Sequence, residues 1–119
     1  MRMTEMTFPD ARPVEGYGPG FFRIGGERVE GPLLVGPDGV QPWGGAGDIA
    51  ALAALAGRVD VLFYGTGAEM AYAPDGLVET LDGHGIGVEV MASPTACRAF
   101  NVTLSEGRRV ALAALPVSG

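Results

Sequence analysis

The chain has 119 residues, 47% of them hydrophobic, and eight arginines with no lysine face fourteen carboxylates for a formal net charge of −6. That length suits one domain over residues 1–119, able to bury about two-thirds of the surface its unfolded form exposes. The acid excess opposes nucleic-acid binding, a single cysteine cannot close an internal disulfide, and no stretch approaches the ~20 apolar residues of a spanning helix.

Nothing in the opening MRMTEMTF has the apolar core of a signal peptide, so the expectation is a cytoplasmic protein without a membrane partner. Residues 1–14 alternate only weakly and offer a short edge strand at Thr7 and Phe8, before Pro9. In GPGFFRIGGERVEGPLLV, the Gly25 and Gly26 pair supplies the positive φ angles of a tight hairpin, which predicts antiparallel strands in the N-terminal half. Gly36, Pro37, Asp38 and Gly39 follow the chemistry of a type I turn, with residues 40–43 returning as a strand.

Asp48 precedes IAALAALA, where Ile49, Leu52 and Leu55 recur every three residues, so a short helix is expected with Asp48 as its N-cap and Gly57 as its left-handed terminator. VDVLFY at 59–64 is too short for a buried helix and rich in β-branched and aromatic residues, hence an interior strand. Pro74 stands where a second helix should begin, with Leu77, Val78 and Leu81 on its apolar face, and Gly83 and Gly85 end it. Residues 86–91 are the second such strand. Ser93 and Pro94 open a third helix of about thirteen residues carrying Cys97, Phe100, Asn101 and Leu104 as one stripe, closed by Gly107. Residues 109–117 are the last strand. This β-α-β-α-β alternation predicts an α/β layer of parallel strands joined by crossovers.

Few residues suggest chemistry. Gly65, Thr66 and Gly67 follow a parallel strand, where open α/β sheets bind ligands, but Met70 occupies the third glycine position of a dinucleotide fingerprint and the helix starts late. A tight strand-to-loop turn and a small-ligand or anion cleft both fit. Cys97 near a helix start could be a thiolate, yet its stripe points to core packing. His84 stands at a helix end, where its cation complements the dipole. One cysteine and one histidine leave no zinc set. Glu69, Asp75, Glu79, Asp82 and Glu89 lack calcium-loop spacing and are expected at the solvated surface; Glu89, inside an apolar run, has to face water or pair with an arginine. Arg98, Arg108 and Arg109 are the candidates for an anion or partner contact, against structural pairing with Glu89 or Glu106. No catalytic residue, metal site or cofactor is expected.

The run from Gly85, GIGVEVMASPTACRAFNVTLSEGRRVALAAL, with GPLLV, Pro42, Trp43 and VLFYGTGAEM upstream, resembles a family of uncharacterised small domains that includes the mitochondrial complex I assembly factor 3 proteins and the adipogenesis-associated Mth-domain proteins. The resemblance covers most of residues 17–117, with Phe100 where many relatives carry tyrosine, and Ser93 and Pro94 where they often have a Thr-Gly-like pair. It implies a three-layer α/β fold around a central mixed sheet and no established enzyme activity. With no Arg-rich stretch like that of mitochondrial members in the sequence, the expectation is a bacterial cytoplasmic relative. Two functions follow: a non-catalytic interaction or assembly-factor module whose partner is another protein, or a small-ligand binder or enzyme using the cleft at Gly65, Thr66 and Gly67.

Overall fold

The computed structural model describes residues 11–117, so the strand expected at Thr7 and Phe8 lies outside the described residues. Three short strands, β1 (Gly16–Gly18), β2 (Phe21–Ile24) and β3 (Glu27–Glu30), form an antiparallel sheet. Gly25 and Gly26 turn the chain between β2 and β3 at φ 60° and 80°, as a two-residue hairpin requires. β4 (Leu33–Gly36) and β5 (Gly39–Gln41) make a second hairpin around Pro37 and Asp38. The strand stops at Gln41 because Pro42 has no N–H to give the ladder.

The second sheet is mixed and ordered β5-β4-β8-β6-β7. β6 (Val61–Gly65) runs parallel to both β7 (Gly87–Met91) and β8 (Val110–Ala114), while β4 joins β8 antiparallel. All five residues of the central β8 are buried. α1 (Ile49–Ala53) and α2 (Leu77–Asp82) cover one face, where Leu34, Leu52, Leu62, Tyr64, Leu77 and Leu81 meet in one apolar cluster. α3 (Ser93–Ser105) and the small sheet cover the other, where Phe22 and Ile24 pack with Ala96, Cys97, Phe100 and Leu112. Three layers therefore enclose two cores, and each large apolar side chain buried there contributes about 1.5–3 kcal/mol.

Asp48 caps α1, its carboxylate accepting from the N–H of Ala51 at 3.3 Å. Gly57 takes its expected positive φ of 82°, three residues after the C-cap, because turns follow a helix shorter than the pattern suggested. α2 begins later than Pro74: the N–H of Leu77 closes a turn on the carbonyl of Pro74 at 3.1 Å, and Gly76 at φ 81° is the N-cap. Val78 also departs from expectation. Leu77 and Leu81 stack one turn apart toward the sheet, which rotates Val78 outward to 38% exposure.

Candidate functional site

The loop after β6 lies at the carboxyl ends of the parallel strands. The chain leaves β6 over one face through α2 and leaves β7 over the other through α3, the arrangement in which open sheets bind ligands between the two loops. Here that crevice is stitched shut. The N–H of Gly67 donates to Ser93 Oγ at 2.9 Å, the N–H of Ser93 to the carbonyl of Gly67 at 2.7 Å, and the N–H of Thr66 to that of Met91 at 2.9 Å. The Ser93 hydroxyl in turn donates a hydrogen bond to the carbonyl of Leu115. A Cβ on Gly65 would lie 2.6 Å from Ser93 Oγ, so glycine permits the approach of strand and helix here. The backbone donors of Thr66 and Gly67 are thus used within the fold.

The arginines do not gather at this loop. Arg109 sits at the other end of the strands, just before β8; β6 alone, at about 3.3 Å per residue, separates the two ends by ~16 Å. Its guanidinium donates to both carboxylate oxygens of Asp60, at 2.9 and 3.2 Å, and to the carbonyl of Gly57 at 3.2 Å. Structural pairing occurs, with Asp60 in place of Glu89 or Glu106. The hydrogen bond and charge of Arg109 hold the Asp60 carboxyl below its ordinary range. Arg98 and Arg108 are exposed, and among the described residues neither makes an ion pair. Arg98 stands on α3 beside Phe63, Ala99 and Val102, away from Arg108 and Arg109 past the helix end.

Cys97 is 4% exposed among apolar neighbours, and burial pushes its thiol up to about 11 against the smaller opposing pull of Arg98. His84 follows α2 on the surface with Nδ1 2.8 Å from the carbonyl of Thr80; a carbonyl only accepts, so Nδ1 carries the proton. Among the described residues no cluster of histidine, cysteine and carboxylates could hold a metal ion, and no helix is long and apolar enough to cross a membrane. Glu89 faces water, as its place in an apolar run required.

The feature that sequence reasoning passed over is the apolar surface of the 66–76 loop. Thr66 Oγ1 donates to the carbonyl of Glu69 at 2.7 Å and accepts from the N–H of Ala71 at 3.0 Å, which ties the loop at its base. Its apolar side chains then project: Met70 is 64% and Tyr72 99% exposed. With Pro74, Val78 and Val90 they line an open groove of about 380 Å³ that also carries Asp75 and Glu79. The signal was present in AEMAYAP, where Met70 and Tyr72 stand in a segment with neither helical nor strand pattern to bury them.

Beside this groove runs the free edge of the five-stranded sheet. The N–H of Gly87 donates to Asp60 and the carbonyl of Met91 accepts from Thr66, both at 2.9 Å, so residues 87, 89 and 91 face β6. Val88 and Val90 turn their N–H and C=O groups outward, and among the described residues no strand pairs with them.

The fold is that of a small three-layer α/β domain in which hydrogen bonds join the two loops at the strand ends and an open apolar groove carries two carboxylates. The chain belongs to the family described as protein of unknown function (DUF498/DUF598), whose model matches residues 14–115. It is 49% identical over 119 residues to an uncharacterised protein of Rhodobacter capsulatus, covering 100% of this chain and 96% of that one. NADH dehydrogenase [ubiquinone] 1 alpha subcomplex assembly factor 3 of Danio rerio is 36% identical over 107 residues, covering 84% of this chain and 62% of the relative, so this chain spans less than two-thirds of that protein. The solution structure of a Mth938-like domain from Bordetella pertussis superposes with TM-score 0.75 at 25% identity, covering 99% of this chain and 94% of that one. The resemblance to assembly factor 3 and Mth-domain proteins is confirmed, as is the mixed α/β architecture it implied.

Proposed function

We propose that this chain is a non-catalytic interaction module of the cytoplasm, acting on another protein in an assembly or maturation step. The observation that carries the reading is the exposed apolar groove of Met70, Tyr72, Pro74, Val78 and Val90. A fully exposed tyrosine beside an exposed methionine, held in place by a threonine that orders the loop beneath them, is surface suited to covering by a partner. Support comes also from relatives whose name is that of a complex I assembly factor. Cys97 is packed as core and His84 closes a surface turn, which leaves both away from the groove.

The test is affinity capture from the native cell with wild type and Tyr72→Asp side by side, with melting temperature as the folding control. A partner retained by wild type and lost by the variant at unchanged melting temperature supports the reading. Identical capture by both, or turnover of an ester, phosphate or thioester abolished by Cys97→Ala or His84→Ala, overturns it.

A further inference from the structure

The groove and the sheet edge beside it both carry carboxylates. Between Arg58 and Arg98 the sequence has no arginine or lysine, and Glu69, Asp75, Glu79, Asp82 and Glu89 all fall in that interval. Asp75 and Glu79 line the groove itself. Glu89 stands midway along the free edge, between Val88 and Val90, on the opposite face of the sheet from the groove. Any strand added to this edge therefore meets carboxylates on both of its faces.

We propose that the edge of β7 docks an extended, basic and apolar segment of a partner protein as a sixth strand. The backbone groups of Val88 and Val90 supply the ladder, a mode in which main-chain hydrogen bonds give affinity and alternate side chains give specificity. On the groove face, the segment's apolar side chains lie against Val90, Val78 and Tyr72, with arginine or lysine reaching Asp75 and Glu79. On the other face, a cationic side chain lies beside Glu89. The arrangement also selects against a second copy of this chain. The antiparallel register that uses both valines sets Glu89 directly against its own copy, and a charge on an edge strand is a common device against such pairing. The inference rests on the reading of this chain as an interaction module and adds the partner's chemistry and conformation.

Random short peptides displayed on phage are selected against the full chain, and the enriched sequences are synthesised with and without N-methyl groups on alternate amides. The expected winners alternate arginine or lysine with apolar residues, bind about tenfold or more weakly to Glu89→Lys, and lose binding on N-methylation of the ladder-facing amides. In the bound state, hydrogen exchange at Val88 and Val90 slows about tenfold or more, as for amides entering a ladder. Peptides that depend on Tyr72 but tolerate N-methylation, and leave Val88 and Val90 exchanging as before, overturn strand addition while the interaction module stands. Winners without basic residues, or wild-type dimerisation through β7, also overturn it. A selection whose binders are all indifferent to Tyr72→Ala and to Glu89→Lys defeats both readings.

Discussion

Gly65 and Gly67 are needed for different reasons, although they sit two residues apart. At Gly65 the obstacle is contact, since a Cβ would meet the backbone of Ser93 at 2.8 Å as well as its hydroxyl. At Gly67 it is conformation, with φ at 109°. Gly65→Ala and Gly67→Ala should each lower stability by more than ~1 kcal/mol in urea melts. Gly87→Ala, whose new methyl comes no closer than 3.7 Å to the nearest atom, should change little and serves as the comparison. Equal losses at all three positions would show that neither close approach nor positive φ sets the first two apart, since the restriction that alanine places on the unfolded chain favours the fold. Tyr64 is the opposite case: its ring packs edge-on to Trp43 at 6.0 Å, but its buried hydroxyl has no partner among the described residues. Tyr64→Phe keeps the ring and removes the unsatisfied group, so stability should hold or rise by up to ~1 kcal/mol. A fall of that size would mean the hydroxyl is bonded. Cys97, with its thiol at about 11, has about one part in ten thousand ionised at pH 7. Iodoacetamide should modify it far more slowly in the native state than in urea, and equal rates would exclude the core assignment. The glycine pair and the Cys97 stripe were legible in the sequence because each follows a local rule. The Ser93 stitch was not, since a serine 26 residues after Gly67 carries no local mark of its partner.

At the scale of elements, the strands and helices of the C-terminal half were legible because long apolar runs and helical spacing state their own burial. The third helix matches its expected length of thirteen residues. Legibility failed at α2, where proline's preference for the first helical position competed with a turn and a left-handed glycine, and the turn prevailed. It failed also at Asn101. The amide belongs to the α3 stripe by spacing, yet its work is to clamp Val14: its Oδ1 accepts from the Val14 N–H and its Nδ2 donates to the Val14 carbonyl, both at 2.8 Å. No pattern links residues 87 positions apart. Asn101→Ala leaves both backbone groups of the 93%-buried Val14 without those partners, which should cost about 1–3 kcal/mol. Limited proteolysis should then cut near residues 11–15 sooner than in wild type, while the melting of α3 stays cooperative with the sheet. Unaltered cleavage together with unaltered stability would assign Asn101 no clamping role. The β7 edge escaped the sequence altogether, because which strand ends a sheet is decided by topology and not by any residue in it.

For the molecule as a whole, two exposed ion pairs tie chain segments at the amino end of the parallel strands, Arg58 to Asp38 and Arg109 to Asp60. Hydrogen bonding to its arginine is the largest cause lowering each aspartate below 3.8. A depressed carboxylate contributes stability above its unfolded value and loses it as pH falls through the folded one, so the effect belongs below about pH 4. Solvent and salt screen both pairs, so the double variant Asp38→Asn, Asp60→Asn should flatten the acid limb of the urea midpoint only slightly. A midpoint that collapses near neutrality in that variant would contradict this. The central strand has a different consequence, for the chain as it is made. β8 joins β4 to β6, yet it is the last of the described strands to be synthesised. Until residues 110–114 have left the ribosome, the β4–β5 hairpin and the β6–β7 pair have no common neighbour, and both show a bare hydrophobic edge. Between the synthesis of β7 and that of β8 the nascent chain therefore carries two half-sheets without their shared strand, the interval in which a holding chaperone has most to protect.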